Sequence, residues 1–77
     1  MYSVKIKLEK IADVRKFVTV AGKYKELDLK SGRHIIKAAS LMGIFSLNLD
    51  SPIDLCYYEL RLTDRIRKDF ERWIVNE

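Results

Sequence analysis

The stretch ASLMGIFSL, residues 39–47, is the most apolar run in a 77-residue chain of which 34% is charged. Ser40 stands at its entrance, where a hydroxyl can accept a hydrogen bond from a free backbone N–H of a helix's first turn. The spacing that follows predicts a short helix from Leu41 to about Leu47. Such a helix would be apolar on almost every side, so the rest of the fold decides which side is buried.

This short helix has more apolar side chains than one buried face can use. We expect an inward stripe at helical spacing: Leu41, Ile44 and Leu47 or Leu49. A helix lying on one sheet cannot bury every side, so we expect an exposed patch among Leu41, Met42 and Phe45, and such a patch usually marks a protein interface. Two alternatives stay open: the last helix of the chain covers the patch, or a second copy covers it in a homodimer.

The segment before residue 24 combines a strand pattern with a helix pattern. Apolar residues alternate with lysines over residues 4–8, which predicts a strand with one dry face. Apolar residues then recur at helical spacing, which predicts an amphipathic helix from Ile11 to about Lys23. Gly22 lies near the end of this helix, where we expect a left-handed cap.

A β-hairpin pattern leads into the opening stretch. Residues 27–29 alternate as a second strand, Gly32 provides a turn with positive φ, and Arg33–Ala38 form a third strand. The two adjacent isoleucines of this third strand cannot both face the core in a regular strand. We therefore expect a β-bulge over residues 35–38.

The segment after the opening stretch completes a single α+β domain over residues 1–77. We expect Asn48 to end the short helix in the left-handed conformation, a fourth strand over Ile53–Tyr58, and a last helix that starts near Thr63 and Asp64. This helix carries one apolar stripe: Ile66, Phe70, Trp73 and Ile74. The element order βαββαβα predicts a two-layer open-faced β-sandwich, a four-stranded sheet covered by helices on one side.

Charge and composition narrow the classes of function. The formal charge is +4, but basic and acidic residues are interleaved, which is typical of a mixed solvated surface. A nucleic-acid-binding domain remains an alternative, with Tyr57 and Tyr58 available to stack on bases. It would use the basic residues of the first strand and first helix: Lys5, Lys7, Lys10, Arg15 and Lys16.

Other classes of site have no pattern to support them. Cys56 is the single cysteine, so no intramolecular disulfide forms, and we expect an intracellular, cytoplasmic protein with no membrane segment. We find no metal-ligand spacing, no glycine-rich phosphate loop and no Ser-His-Asp arrangement. We therefore expect no metal, no cofactor and no enzyme activity.

Two segments resemble the HPr family, the histidine-containing phosphocarriers of the bacterial phosphoenolpyruvate-dependent sugar phosphotransferase system. FVTVAGKY, residues 17–24, is similar to the first family helix and its exit. SLMGIFSL, residues 40–47, is similar to the family's Ser-Ile-Met-Gly-x-x-Ser-Leu signature. The resemblance implies an antiparallel sheet in the order 1-4-2-3 with all three helices on one face.

The chain departs from the family where the phosphocarrier histidine should be. Family members carry it in a Gly-x-His-Ala-Arg-Pro segment, and a gapless count places Lys10 at the histidine position, Ala12 at the arginine and Asp13 at the proline. A protonated lysine is not an acceptor for this transfer. We expect the carrier reaction to be lost, and the alternative is a phosphocarrier with an atypical site at the single histidine, His34.

The resemblance gives Ser40 a second interpretation. In Gram-positive relatives the matching serine is phosphorylated by a dedicated serine kinase, and the modified form binds a regulator of carbon catabolite repression. The resemblance therefore implies a regulatory interaction module whose partners are this regulator or proteins of the phosphotransferase system. Ser40 as a simple helix cap is the competing interpretation.

Overall fold

The computed structural model describes residues 1–75, and within them one four-stranded antiparallel sheet packs with three α-helices. The elements in chain order are β1 (Tyr2–Ile6), α1 (Ile11–Ala21), β2 (Asp28–Ser31), β3 (His34–Lys37), α2 (Leu41–Phe45), β4 (Ile53–Tyr57) and α3 (Thr63–Asp69). Two 3₁₀ turns flank α3, at Leu60–Leu62 and at Glu71–Trp73. The α+β class and the predicted element order are confirmed.

The sheet runs in the order β1-β4-β2-β3, which is the order that the resemblance implied. One cross-strand row pairs Val4 with Leu55, Leu55 with Leu29 and Leu29 with Ile36. The first three are almost fully buried because α1, α2 and α3 pack over this face of the sheet. Side chains from the strands and from the helices therefore meet on this face of the sheet and form one core.

The centre of that core is aromatic. Phe17 of α1 packs against Phe70 with ring centroids 5.1 Å apart and against Trp73 at 5.5 Å in an edge-to-face geometry. Aromatic pairs at such distances contribute beyond the area that they bury. Phe17 therefore joins the first helix to the last segment of the described chain.

The predicted β-bulge in the third strand is wrong. The register is regular, with Leu29 opposite Ile36 and Lys30 opposite Ile35, and the Ala38 N–H continues it by donating to the Leu27 carbonyl at 2.9 Å. The strand needs no bulge because only one isoleucine is half-buried, whereas Ile35 points to the open face and is 63% exposed. Alternation thus holds, and one apolar side chain is left in solvent.

Two predicted left-handed caps are also wrong, whereas the turn glycine is confirmed. Gly22 ends α1 with φ −63°, and its N–H bonds to the Val18 carbonyl, so a further right-handed turn satisfies the helix end. Within residues 1–75, Gly32 at φ 60° is the residue with clearly positive φ, so Asn48 is not left-handed. Asn48 instead accepts the Asp50 N–H on its side-chain oxygen at 3.0 Å.

The segment after α3 leaves the helix and joins the sheet. The helix gives way to a 3₁₀ turn that ends at Trp73, and the predicted helical stripe therefore stops before Ile74. Ile74 instead forms a bridge with Ile6, flanked by hydrogen bonds from the Lys7 N–H to the Trp73 carbonyl and from the Val75 N–H to the Lys5 carbonyl. These bonds cover the outer edge of β1, which would otherwise present unpaired backbone groups.

Candidate functional site at the second helix

The N-terminus of α2 has the serine cap that the sequence predicts. Its backbone is extended, with φ −90° and ψ 102°, and its Oγ accepts a hydrogen bond from the Gly43 N–H at 3.1 Å. Such a bond satisfies one of the N–H groups that a helix start leaves free. The confirmed role of Ser40 is therefore that of an N-cap.

Gly43 is the residue that lets Ser40 approach so closely. A Cβ at this position would lie 2.9 Å from Ser40 Oγ and 3.1 Å from Ile36 Cδ1. Real Cβ atoms essentially never approach another atom as closely as the first distance, and the second is unusually tight. A side chain here would therefore displace the capping serine and press on Ile36. The Ser-x-x-Gly spacing thus serves both the cap and the packing of α2 on β3.

The apolar side chains of α2 divide between core and solvent. Ile44 is fully buried and Leu47 is buried just beyond the helix. On the other side, Leu41 is 38% exposed, Met42 is 78% exposed and Phe45 is 45% exposed. Neither α3 nor any other described segment covers these three residues, which we call the α2 patch. The exposed fraction of Met42 excludes the alternative in which the last helix closes over it.

The nearest lysine in the sequence does not lie beside Ser40. Ser40 is half-buried, and Lys37 lies on the opposite face of the sheet. There Lys37 Nζ is 3.9 Å from Asp28 Oδ1. The alternation of β3 therefore turns this lysine away from the α2 side.

Lys10 occupies the N-cap of α1, at the position where the resemblance expects a histidine. Its side chain is exposed, and its backbone is extended, with φ −123° and ψ 156°. The Lys10 N–H donates to Asp13 Oδ2 at 3.2 Å, while the Lys10 carbonyl accepts the Asp13 N–H at 3.0 Å. This reciprocal pair starts a helix and places a carboxylate where an anion would otherwise approach.

His34 stands apart from these helix starts. It is exposed at the beginning of β3, opposite Ser31. Within residues 1–75 its ring makes no hydrogen bond or ion pair. The structure therefore brings no described group to His34 that would activate it for phosphoryl transfer.

The residues suggested for nucleic-acid binding do not share one surface. Lys5 lies on the open face of the sheet, where its Nζ is 2.8 Å from Asp54 Oδ1, whereas Arg15 and Lys16 lie on α1. Tyr57 points into the core, where it is 3% exposed and its hydroxyl bonds to Thr63 at 2.8 Å. A buried ring cannot stack on a base, so of the two tyrosines only Tyr58 is left for the nucleic-acid-binding alternative.

Cys56 and the acidic residues offer no reactive or metal-binding centre in the described part of the chain. Burial raises the pKa of the Cys56 thiol, and the carboxylates of Asp54 and Asp28 add to this effect, so the reactive thiolate is disfavoured. In residues 1–75 no group of three or more His, Cys, Asp or Glu side chains is placed to hold a metal ion. Over the same residues, every helix is too short or too polar to cross a membrane.

Sequence reasoning missed a cleft at another part of the surface. It brings residues 23–26 together with residues 58, 59, 61 and 62 and with Arg65. These segments are distant in sequence, and each alone reads as a charged loop. The sequence does show two loops with Lys, Arg and Tyr at the ends of predicted elements. Only the order of the strands in the sheet reveals that these loops lie side by side.

Comparison with known proteins adds no relative to this picture. No model of a known family matches the chain, and comparisons with curated proteins and with solved structures found no significant match.

Proposed function

We propose that the chain is a non-catalytic, HPr-like interaction module that binds a partner protein through the α2 patch. One observation carries this proposal: Met42 is 78% exposed, with Leu41 and Phe45 beside it on a helix that Ile44 anchors in the core. Exposed apolar side chains on a fixed helix match the centre of a protein interface, where Met and aromatic residues are enriched. The sheet order, which is the one that the resemblance implies, supports the HPr-like assignment.

Ser40 supplies the regulatory part of the proposal. Phosphorylation would replace the capping hydroxyl by a group with about −1.5 to −2 charges and three acceptor oxygens. It would change the charge directly beside Leu41, and a partner seated on the α2 patch would meet it. By resemblance, the modifying enzyme is the family's serine kinase, and the partner is a regulator of carbon catabolite repression or a protein of the phosphotransferase system.

The docking test measures binding of the family's catabolite regulator to isotope-labelled chain by NMR, with the Ser40-phosphorylated and the unmodified forms. We expect amide shifts confined to α2 and its flanks. Met42→Glu should abolish binding, whereas Ile35→Glu should not, because Ile35 is equally apolar and 63% exposed but faces the other side of the sheet. Equal losses in both variants, or shifts elsewhere on the chain, would contradict docking at α2.

The kinase test incubates the chain with the family's serine kinase and ATP and follows the mass of the intact protein. We expect one phosphoryl group, lost in Ser40→Ala and retained in Ser46→Ala. Ser46 is the matched control because it lies at the other end of the same helix. A chain that stays unmodified, or a modification that persists in Ser40→Ala, would remove Ser40 from the proposal.

A third experiment addresses the phosphocarrier alternative. The chain is incubated with the family's enzyme I and phosphoenolpyruvate. We expect no transfer, because Lys10 stands at the acceptor position and is protonated near neutral pH. An acid-labile phosphate on His34 would overturn the non-catalytic assignment.

A further inference from the structure

A cleft of about 370 Å³ opens where the loop after α1 meets the segment after β4. Residues 23–26 form one wall, residues 58, 59, 61 and 62 form another, and Arg65 of α3 closes the side between them. This volume lies within the range of about 300–1,000 Å³ that is usual for small-molecule sites. None of the α2 patch residues lines it.

Positive charge dominates the lining. The ionisable side chains are four basic and two acidic residues: Lys23, Lys25, Arg61, Arg65, Glu26 and Glu59. Arg61 Nη2 lies 3.2 Å from Glu59 Oε1, but both side chains are well exposed, so solvent weakens this pair. Lys23 and Lys25 form no ion pair within residues 1–75. Arg65 Nε lies 3.8 Å from Asp69 Oδ2, so Lys23 and Lys25 are the two cations of the lining that no described carboxylate pairs.

Two tyrosine rings line the same cleft, and both are held in place. The Tyr24 hydroxyl donates to Asp69 Oδ2 at 2.5 Å, and the Arg65 guanidinium lies 5.2 Å from the Tyr24 ring centroid. The Tyr58 hydroxyl donates to Asp28, while its side chain stays 44% exposed. The rings thus form fixed, flat walls, which lowers the entropy cost of binding against them.

We propose that this cleft binds a nucleoside phosphate, with its phosphoryl group on Lys23, Lys25 and Arg61 and its base against the exposed ring of Tyr58. Ammonium and guanidinium groups form charge-assisted hydrogen bonds with phosphate oxygens. An aromatic side chain offers every base a stacking surface. The combination of two lysines without an ion pair and an accessible, fixed ring favours this class of ligand over a simple inorganic anion or an apolar molecule.

The cleft is separate from the α2 patch. The two sites share no residue, so a negative result at one leaves the other unchanged.

The experiment titrates isotope-labelled chain with AMP, ribose 5-phosphate and adenosine, each followed by NMR. We expect AMP to shift amides of residues 23–26 and 58–62, with weaker binding as salt screens the phosphate contacts. Ribose 5-phosphate should bind at the same place more weakly, and adenosine more weakly still. Equal affinity of AMP and ribose 5-phosphate would overturn the base contact, and equal affinity of AMP and adenosine would overturn the phosphate contact.

Charge-neutralising variants test the assignment of residues. The double variant Lys23→Gln/Lys25→Gln should weaken AMP binding about tenfold, because two charge-assisted contacts are lost. The matched control is Arg67→Gln/Lys68→Gln, which removes the same charge from exposed positions of α3 outside the cleft. Tyr58→Leu should reduce the affinity for AMP while leaving that for ribose 5-phosphate unchanged.

Circular dichroism and the thermal midpoint verify that each variant is folded before its affinity is compared. An equal loss in the control double variant would overturn the cleft assignment, since only overall charge would then matter. The absence of localised shifts with AMP at millimolar concentration in low salt would overturn the proposal altogether.

Discussion

The helices α1 and α2 both start at an extended N-cap residue, but they bury very different numbers of side chains. α1 has 11 residues and buries Val14, Phe17 and Ala21, whereas α2 has 5 residues and buries Ile44. α1 is therefore held by a large part of the core. The start of α2 relies on one hydroxyl and one buried side chain.

Because of this difference, α1 serves as a rigid part of the fold, whereas α2 can respond to a modification or to a partner. A helix anchored by an aromatic core does not change when one exposed residue changes. A helix of little more than one turn is marginal without its cap and its packing. Modification or partner binding at α2 therefore acts on a helix that is less constrained than α1.

The largest effect should come from removing the α1 anchor. Phe17→Ala should lower the free energy of unfolding by about 3–5 kcal/mol, because it leaves a cavity among buried aromatic rings. Phe45→Ala, which deletes the same atoms from a half-exposed ring of α2, should cost about 1 kcal/mol or less. Urea unfolding of both variants measures the contrast, and equal costs would show that Phe45 is a core residue.

A second effect concerns the hydrogen bond between Tyr24, which follows α1, and Asp69 of α3. Tyr24→Phe should cost about 1.5 kcal/mol at pH 7, because the charged acceptor Asp69 loses its phenol donor. Burial and this hydrogen bond raise the pKa of Tyr24 from 10.0 to about 12. Folding thus favours the protonated phenol, so its contribution is complete below pH 10 and is lost as pH rises through 12.

The measurement is the difference in unfolding free energy between the natural chain and Tyr24→Phe as a function of pH. The hydrogen bond to Asp28 also raises the pKa of Tyr58 to about 12, but Tyr58 is present in both proteins and cancels. A difference that stays constant from pH 9 to pH 12 would contradict the tie between Tyr24 and Asp69.

The cap of α2 should have a smaller effect. Ser40→Ala should destabilise the protein by about 1 kcal/mol, because the Gly43 N–H loses its acceptor. Ser40→Gly should cost only a few tenths, roughly as at other N-caps. Ser51→Ala, in an exposed loop, serves as the control and should stay within about 0.5 kcal/mol. Thermal unfolding measures all three, and an unaffected Ser40→Ala would show that Ile44 alone holds α2.

The smallest effect should come from the most exposed residue of the α2 patch. Met42→Glu should change the free energy of unfolding by less than about 0.5 kcal/mol, because its side chain loses almost no packing. The same substitution should remove partner binding in the docking test. A destabilisation of 2 kcal/mol or more would mean that Met42 serves the fold rather than an interface.

Local patterns were sufficient for most of the framework. Period-two alternation located the strands, Ser40 located the start of α2, and Gly32 marked the turn with positive φ. The wrong predictions arose where the local sequence is compatible with two backbone conformations or with two side-chain environments. Gly22 had a right-handed hydrogen-bonded end available as well as a left-handed one, and nothing local shows that Ile35 is left exposed.

The surfaces were less accessible to sequence reasoning than the fold. The exposure of Met42 and Phe45 followed from counting apolar residues on a short helix, which is a local argument. The cleft that contains Lys25 and Tyr58 depends on β4 lying between β1 and β2, so the residues come together only after the sheet is assembled. The orientation of Tyr57, by contrast, follows from strand alternation with Leu55 and was open to prediction.

The edge pairing of β1 has a consequence for the order in which the molecule can form. β1 has β4 on one side and the bridge from Ile74 on the other, and both partners lie far from β1 in the sequence. Contacts of such long sequence separation slow folding, since the intervening chain must be ordered before they are made. Until β4 and Ile74 are in place, both edges of β1 stay unpaired, and the closing step of folding joins segments that lie far apart in the sequence.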